Sequence, residues 1–360
     1  MSKKKALKIL GGMVVIEVLA IVLVVWLFDP FYQYHEPFFG LQKVLYDRDN
    51  QVPGSLRNFE YDRVMLGSSM VENFDTDYLD RQDGLVTVKA IKSAGRTADL
   101  LYYLDVVHEH QDVKEIYWGL DIAGLTADPE TVMYGEDIPR YLHTDTMLDD
   151  LEYLFNKQVI FEKIPLNIAS SFLDNHVGGE AYQWHQDKVF GSEQAMSAYD
   201  KPAENLPPQD VTQYKIDIQK NVQMIAEEIN AHPEIEYKLF FTPYSMLWWD
   251  CGYANGISEA YFCAIEEAMT GLLECENAEL YFFQTEKEIV CDLENYMDMF
   301  HYKPWVNQYM LEAMEKGDNR LTKDNYQEAL SELQELFEYI VEEGIYLYYE
   351  ENNTVEGAER

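Results

Sequence analysis

The chain has 360 residues, with 27 basic side chains against 65 acidic ones and a formal net charge of −38 at pH 7. So negative a field excludes nucleic acid as a partner and argues against adhesion to anionic lipid heads or polyphosphate, all of which call for basic patches. The four cysteines do not have the paired Cys-x-x-Cys spacing of a zinc site, and no metal or other cofactor is expected.

Residues 1–8 carry four lysines, and residues 9–28 are an apolar run interrupted only by Gly11, Gly12 and Glu17. A helix rises about 1.5 Å per residue, so such a run covers a hydrocarbon core roughly 30 Å thick. Lysines on one flank and Asp29-Pro30 on the other predict a single-pass anchor in the cell membrane, with the N-terminus cytoplasmic and the main domain extracytoplasmic. No small-x-small cleavage site precedes Asp29, which favours an uncleaved anchor over a signal peptide.

Residues 29–60 read as an extended lead-in with an exposed turn at Pro53-Gly54. From residue 61 to 345 strands and helices alternate. Strands are expected at 63–66, 86–91, 113–120, 237–242 and 279–283, the second of them half-buried at an edge. Helices are expected over 97–108, 214–231, 256–274 and 305–316, the last stopped by Gly317. A final helix begins near Asp324, with Leu330, Leu333, Phe337 and Ile340 as its apolar stripe. This is the pattern of an α/β fold with a three-layer open parallel sheet of five strands, whose ligands bind outside the strands' carboxyl ends. Residues 125–210 break the alternation and read as a helical insertion over the sheet, and residues 346–360 form an acidic tail. Cys251, Cys263, Cys275 and Cys291 cluster in one third of the chain, where bridges and buried thiols are both open.

Gly67-Ser68-Ser69 follows the first strand directly. A hydroxyl there sits among unpaired backbone N–H groups, so Ser69 is a candidate nucleophile; alternatively, Ser69 and Glu72 form a Ser-x-x-Glu capping box. Far downstream, Asp298 and His301 are three residues apart before a helix that opens with Pro304, a spacing that lets the carboxylate orient the imidazole. His143, His176 and His185 match no metal spacing and read as surface or packing residues.

In block order these segments resemble the SGNH (GDSL-like) hydrolase superfamily across roughly residues 55–320. Gly67-Ser68-Ser69 matches the first block with Ser68 in place of its Asp; Lys92-Ser-Ala-Gly95 matches the second; Gly119-Leu-Asp121-Ile122 matches the third with Asp121 where the family has Asn; Asp298-x-x-His301 closes the set. The resemblance implies a Ser69–His301–Asp298 triad and an oxyanion hole from Ser69, Gly95 and Asp121. A carboxylate cannot donate to an oxyanion unless protonated, so Asp121 is a departure with consequences. The Gly-Ser-Ser variant with an N-terminal anchor is most similar to the membrane-anchored envelope branch that includes the D-alanyl-lipoteichoic acid biosynthesis protein. That likeness implies an esterase or O-acyltransferase acting on an acylated envelope glycan or teichoic-type polymer, with a membrane O-acyltransferase as partner. The alternative is a binding or assembly protein that keeps the fold without catalysis.

Overall fold

The computed structural model describes residues 2–132, 140–144, 148–200, 202 and 204–348. Five strands lie parallel: β1 (Arg63–Gly67), β2 (Thr87–Ile91), β3 (Glu115–Leu120), β4 (Glu236–Phe241) and β5 (Ala278–Phe282). Their Val, Ile, Leu, Tyr, Trp and Phe side chains are buried on both faces, as a sheet covered by helices on each side requires.

A sixth strand, β6 (Arg320–Leu321), pairs antiparallel with β5, so the sheet is mixed and runs β2-β1-β3-β4-β5-β6. The expectation of an all-parallel, five-stranded sheet is corrected here. Two residues carry no readable period, and only the neighbouring β5 makes them a strand.

The helices that position this sheet are α1 (Lys3–Phe28), α2 (Arg48–Asn58), α3 (Thr76–Asp83), α4 (Thr97–His110), α5 (Thr212–Ala231), α6 (Ser258–Leu272), α7 (Pro304–Lys316) and α8 (Tyr326–Tyr339). The β1-to-β2 crossover through α3 runs one way across the sheet, and the crossovers through α4, α5 and α6 run the other way. Right-handed crossovers therefore put α3 on one face and α4, α5 and α6 on the opposite face. On the α3 face, the Tyr78 hydroxyl donates to Glu315 of α7 at 2.8 Å. The direction reverses between β1 and β3, which opens a crevice at their carboxyl ends.

The lead-in departs from its expected form. Pro53 and Gly54 are buried inside α2, and a Cβ on Gly54 would lie 2.1 Å from the Phe31 carbonyl oxygen. A Pro-Gly pair reads as a turn from local chemistry; here Gly54 is needed because another stretch of backbone crosses the helix. Gln51 ties the two together, donating to the Pro30 and Val44 carbonyls and accepting from the Tyr46 and Asp47 N–H groups, each at 2.9 Å.

The region 125–210 contains short helices, among them Asp150–Leu154 and Ile164–Leu173, and no strand among its described residues. It returns over β2, where the fully buried Lys89 donates to the carbonyls of Glu72 and Ala181, both at 2.7 Å. The helix α1 is long and apolar enough to cross a membrane and is exposed along most of its length. Its last turn joins the insertion in a small separate core that includes Val25, Phe31, Tyr153 and Ile164. No disulfide links the four cysteines. The tail from residue 349 onward lies outside the described residues.

Candidate active site

The chain leaves β1 through Gly67, whose φ of +156° and crowded surroundings disfavour a side chain. A Cβ on Gly67 would lie 3.0 Å from Val71, and one on Gly119 in β3 would lie 2.5 Å from it. These two glycines let the turn after β1 sit tight against β3. Residues Ser69–Val71 then form a single 3-10 turn. The alternative reading, a Ser69–Glu72 capping box, does not form: Ser68 supplies the side-chain cap, accepting from the Met70 N–H at 3.3 Å, and Glu72 is buried in an ion pair with Arg48 at 2.6 Å. The Ser69 hydroxyl is left free of capping work.

The loop after β5 brings the other two groups. Tyr296 bridges to Tyr302 across it, and the Met297 N–H donates to the His301 carbonyl at 3.0 Å, closing Asp298–His301 into a tight hairpin. Asp298 Oδ1 accepts from the Phe300 and His301 N–H groups, each at 2.8 Å, which turns Oδ2 toward the imidazole. His301 Nδ1 lies 2.7 Å from Asp298 Oδ2, and His301 Nε2 lies 2.9 Å from Ser69 Oγ. The Tyr302 hydroxyl and the Asn307 amide both reach the Met70 carbonyl, at 2.8 and 3.3 Å, so the loop is tied to the serine's own turn.

Electrostatics follow this geometry. Burial pushes the Asp298 pKa up, but the hydrogen bonds and charge of His301, with the two backbone N–H groups, outweigh it and hold the carboxyl below the ordinary range. An ionised Asp298 fixes the proton on Nδ1 and leaves Nε2 as the acceptor for the serine hydroxyl. The arrangement can therefore remove a proton from Ser69 and return it to a leaving group.

The two remaining residues behave differently from expectation. The Gly95 N–H donates to the Lys92 carbonyl at 2.9 Å, so the donor assigned to an oxyanion is already engaged. The cause is the tight turn through Ala94, held at a φ of +50°. A Cβ on Gly95 would lie 2.8 Å from Lys92 Cβ, so glycine is required there by packing. Asp121 accepts a hydrogen bond from the Tyr244 hydroxyl and another from Ser68. Burial raises its pKa, against the pull of those two hydrogen bonds and of His301. Gly95 and Asp121 both line the same cavity as Ser69 and His301, a space of about 400 Å³ with Met70, Ala94, Ala123, Ala127 and Phe300 on its walls.

No family model matches the chain, and no curated protein matches it. Among solved structures, one from Streptococcus pneumonia, described provisionally as a platelet activating factor, aligns over 88% of this chain and 99% of its own at 12% identity with a TM-score of 0.39. So slight a likeness carries no argument about fold or function.

Three contributors at this site were not singled out from sequence. Tyr244, just after β4, donates its hydroxyl to Asp121. Trp184 comes from the insertion and meets the His301 ring edge-on, with centroids 5.1 Å apart. Ser245 pins the histidine loop through its hydroxyl, which donates to the Met299 carbonyl at 2.9 Å. None of these has a local sequence signal. His143 contacts the Tyr102 hydroxyl, His176 packs against Tyr46, and neither they nor His185 lines the cavity.

Proposed function

We propose that this chain is a serine esterase or O-acyltransferase of the SGNH kind, with Ser69 as nucleophile, His301 as general base and acid, and Asp298 as its orienter. One observation carries the reading: the unbroken hydrogen-bond chain from Asp298 through His301 to the uncapped Ser69 hydroxyl at an apolar cavity.

Ser69 Oγ attacks an acyl carbonyl while its proton passes to His301 Nε2. The tetrahedral intermediate's oxyanion lies near the Ser69 N–H, and collapse expels the alcohol, which takes the proton from His301. Water or an acceptor hydroxyl then attacks the acyl-enzyme, so hydrolysis and transfer share the intermediate. The small, apolar cavity walls suit a short acyl group.

The substrate class in this proposal is an acyl ester of a cell-envelope glycan or a teichoic-type polymer, reached from the outer face of the membrane, with a membrane O-acyltransferase as partner. Support for membrane placement comes from α1 and from the exposed apolar side chains of the insertion packed at its end, among them Leu148, Phe161, Phe172 and Leu173. The four N-terminal lysines favour a cytoplasmic N-terminus.

The engaged Gly95 N–H favours a second reading, a binding or assembly protein of the envelope that retains the triad geometry without an oxyanion hole. Hydrolysis of p-nitrophenyl acetate separates the two. The esterase reading expects turnover that Ser69→Ala abolishes and a mass increase of one acetyl on the wild type under acid quench. Equal background hydrolysis by both proteins, with no adduct, supports the binder.

A further inference from the structure

At the opposite edge of the sheet from Ser69, three side chains converge that the acyl chemistry does not use. We propose that His108, Glu228 and His232 form a site for one divalent transition-metal ion of the zinc type.

His108 sits in the last turn of α4; Glu228 lies in the last turn of α5, and His232 follows that helix directly, in the short link to β4. The one ligand atom each residue offers lies within 4.8 Å of the others. Both imidazoles turn Nε2 toward the same oxygen: His108 Nε2 is 2.7 Å and His232 Nε2 4.0 Å from Glu228 Oε1. Ligands about 2.1 Å from a tetrahedral zinc stand about 3.4 Å from one another, so the two observed separations bracket the required one. Because the two rings stack face to face, His232 must turn out of that stack to aim its Nε2 lone pair at the same ion.

The surroundings favour a cation. The two helices end here, and their carbonyl termini carry partial negative charge. The His108 and His232 rings stack with centroids 3.7 Å apart and planes within 16°, which holds both beside Glu228. Glu234 lies 3.5 Å from His232 Nδ1, the position from which a carboxylate orients a ligating histidine. The donor set of two imidazoles and a carboxylate is zinc chemistry, not calcium or magnesium chemistry. Bound metal would staple the end of α4 to the end of α5 and leave the acyl site untouched.

The test is titration of the tag-free full chain in detergent, stripped with chelator, with zinc chloride by calorimetry and with cobalt(II) by visible absorption. Millimolar magnesium is kept present to occupy the acidic surface. The expected result is one saturable equivalent of zinc, a higher thermal midpoint and tetrahedral cobalt bands. His232→Ala and Glu228→Gln, each checked for native circular dichroism, should weaken zinc binding more than about tenfold. His232 is partly exposed at a helix end, so its replacement leaves the fold intact. Absence of a saturable site above magnesium competition, or binding that survives both substitutions, overturns the proposal and leaves a stacked ion-pair cluster.

Discussion

Ser69 Oγ and His301 Nε2 stand 2.9 Å apart although 232 residues separate them in the chain. The contact exists because β1 and β5 both end at the same edge of the sheet and because Tyr302 and Asn307 tie the histidine loop to the serine's turn. A triad that works as a unit gives non-additive losses. Ser69→Ala and His301→Ala should each cut ester turnover by about 10⁴-fold or more, and the double variant should resemble either single one. Steady-state kinetics on one short ester decide it; losses that multiply would contradict a shared role.

Asp298→Asn should keep the fold and lower kcat, because the carboxylate sets the imidazole tautomer. It also changes the response to acid. The folded Asp298 carboxyl titrates below its ordinary value, so it contributes stability above an unfolded pKa of about 3.9, and that contribution is lost as pH falls through the folded value. The stability gap between wild type and Asp298→Asn should therefore narrow below about pH 4 in denaturant melts. A gap that widens there would contradict the assigned charge state.

Asp121→Asn puts an amide donor where the wild type has a carboxyl held by Tyr244 and Ser68. With the Gly95 N–H engaged by Lys92, an added donor has an oxyanion to serve, and one such donor is worth roughly 3 kcal/mol. The variant should raise kcat at neutral pH with little change in KM. Lower kcat would instead assign Asp121 to holding Tyr244 and the serine turn.

Lys89 gives a test of the fold. Its burial depresses the pKa to about 7, against the pull of Glu72, Asp75 and Asp77. An unfolded lysine titrates near 10.4. Below pH 7 both states are protonated and the cost of the buried ammonium is complete. Between about pH 7 and 10.4 the unfolded chain holds the extra proton, so stability rises by up to about 1.4 kcal/mol per pH unit. Urea melts of wild type should show this rise relative to Lys89→Met, whose profile lacks it. Parallel profiles would contradict a neutral Lys89 in the folded protein.

The sheet's parallel strands were legible because runs such as Val64-Met-Leu66 and Leu239-Phe-Phe241 are continuous, apolar and bounded by turn residues. The pairing of Ser69 with Asp298 and His301 was legible as block order, since strands that end at one edge bring their loops together. The sixth strand was not, because its two residues gain strand geometry only from β5. Nor was the burial of Pro53-Gly54, which depends on Phe31 crossing α2, nor the approach of Trp184 to His301 from an insertion with no period of its own. The Gly95 turn shows the same limit in reverse: glycine was required there, but to clear Lys92 while its N–H turned to the Lys92 carbonyl.

The central claim, that Ser69 is a nucleophile activated by His301, is tested most directly by labelling with a serine-directed fluorophosphonate. The full chain in detergent should label at Ser69, found by peptide mass mapping, while Ser69→Ala takes no label and His301→Ala labels far more slowly. Equal absence of label in wild type and Ser69→Ala, with both proteins folded, would contradict the claim and leave the chain a binding protein.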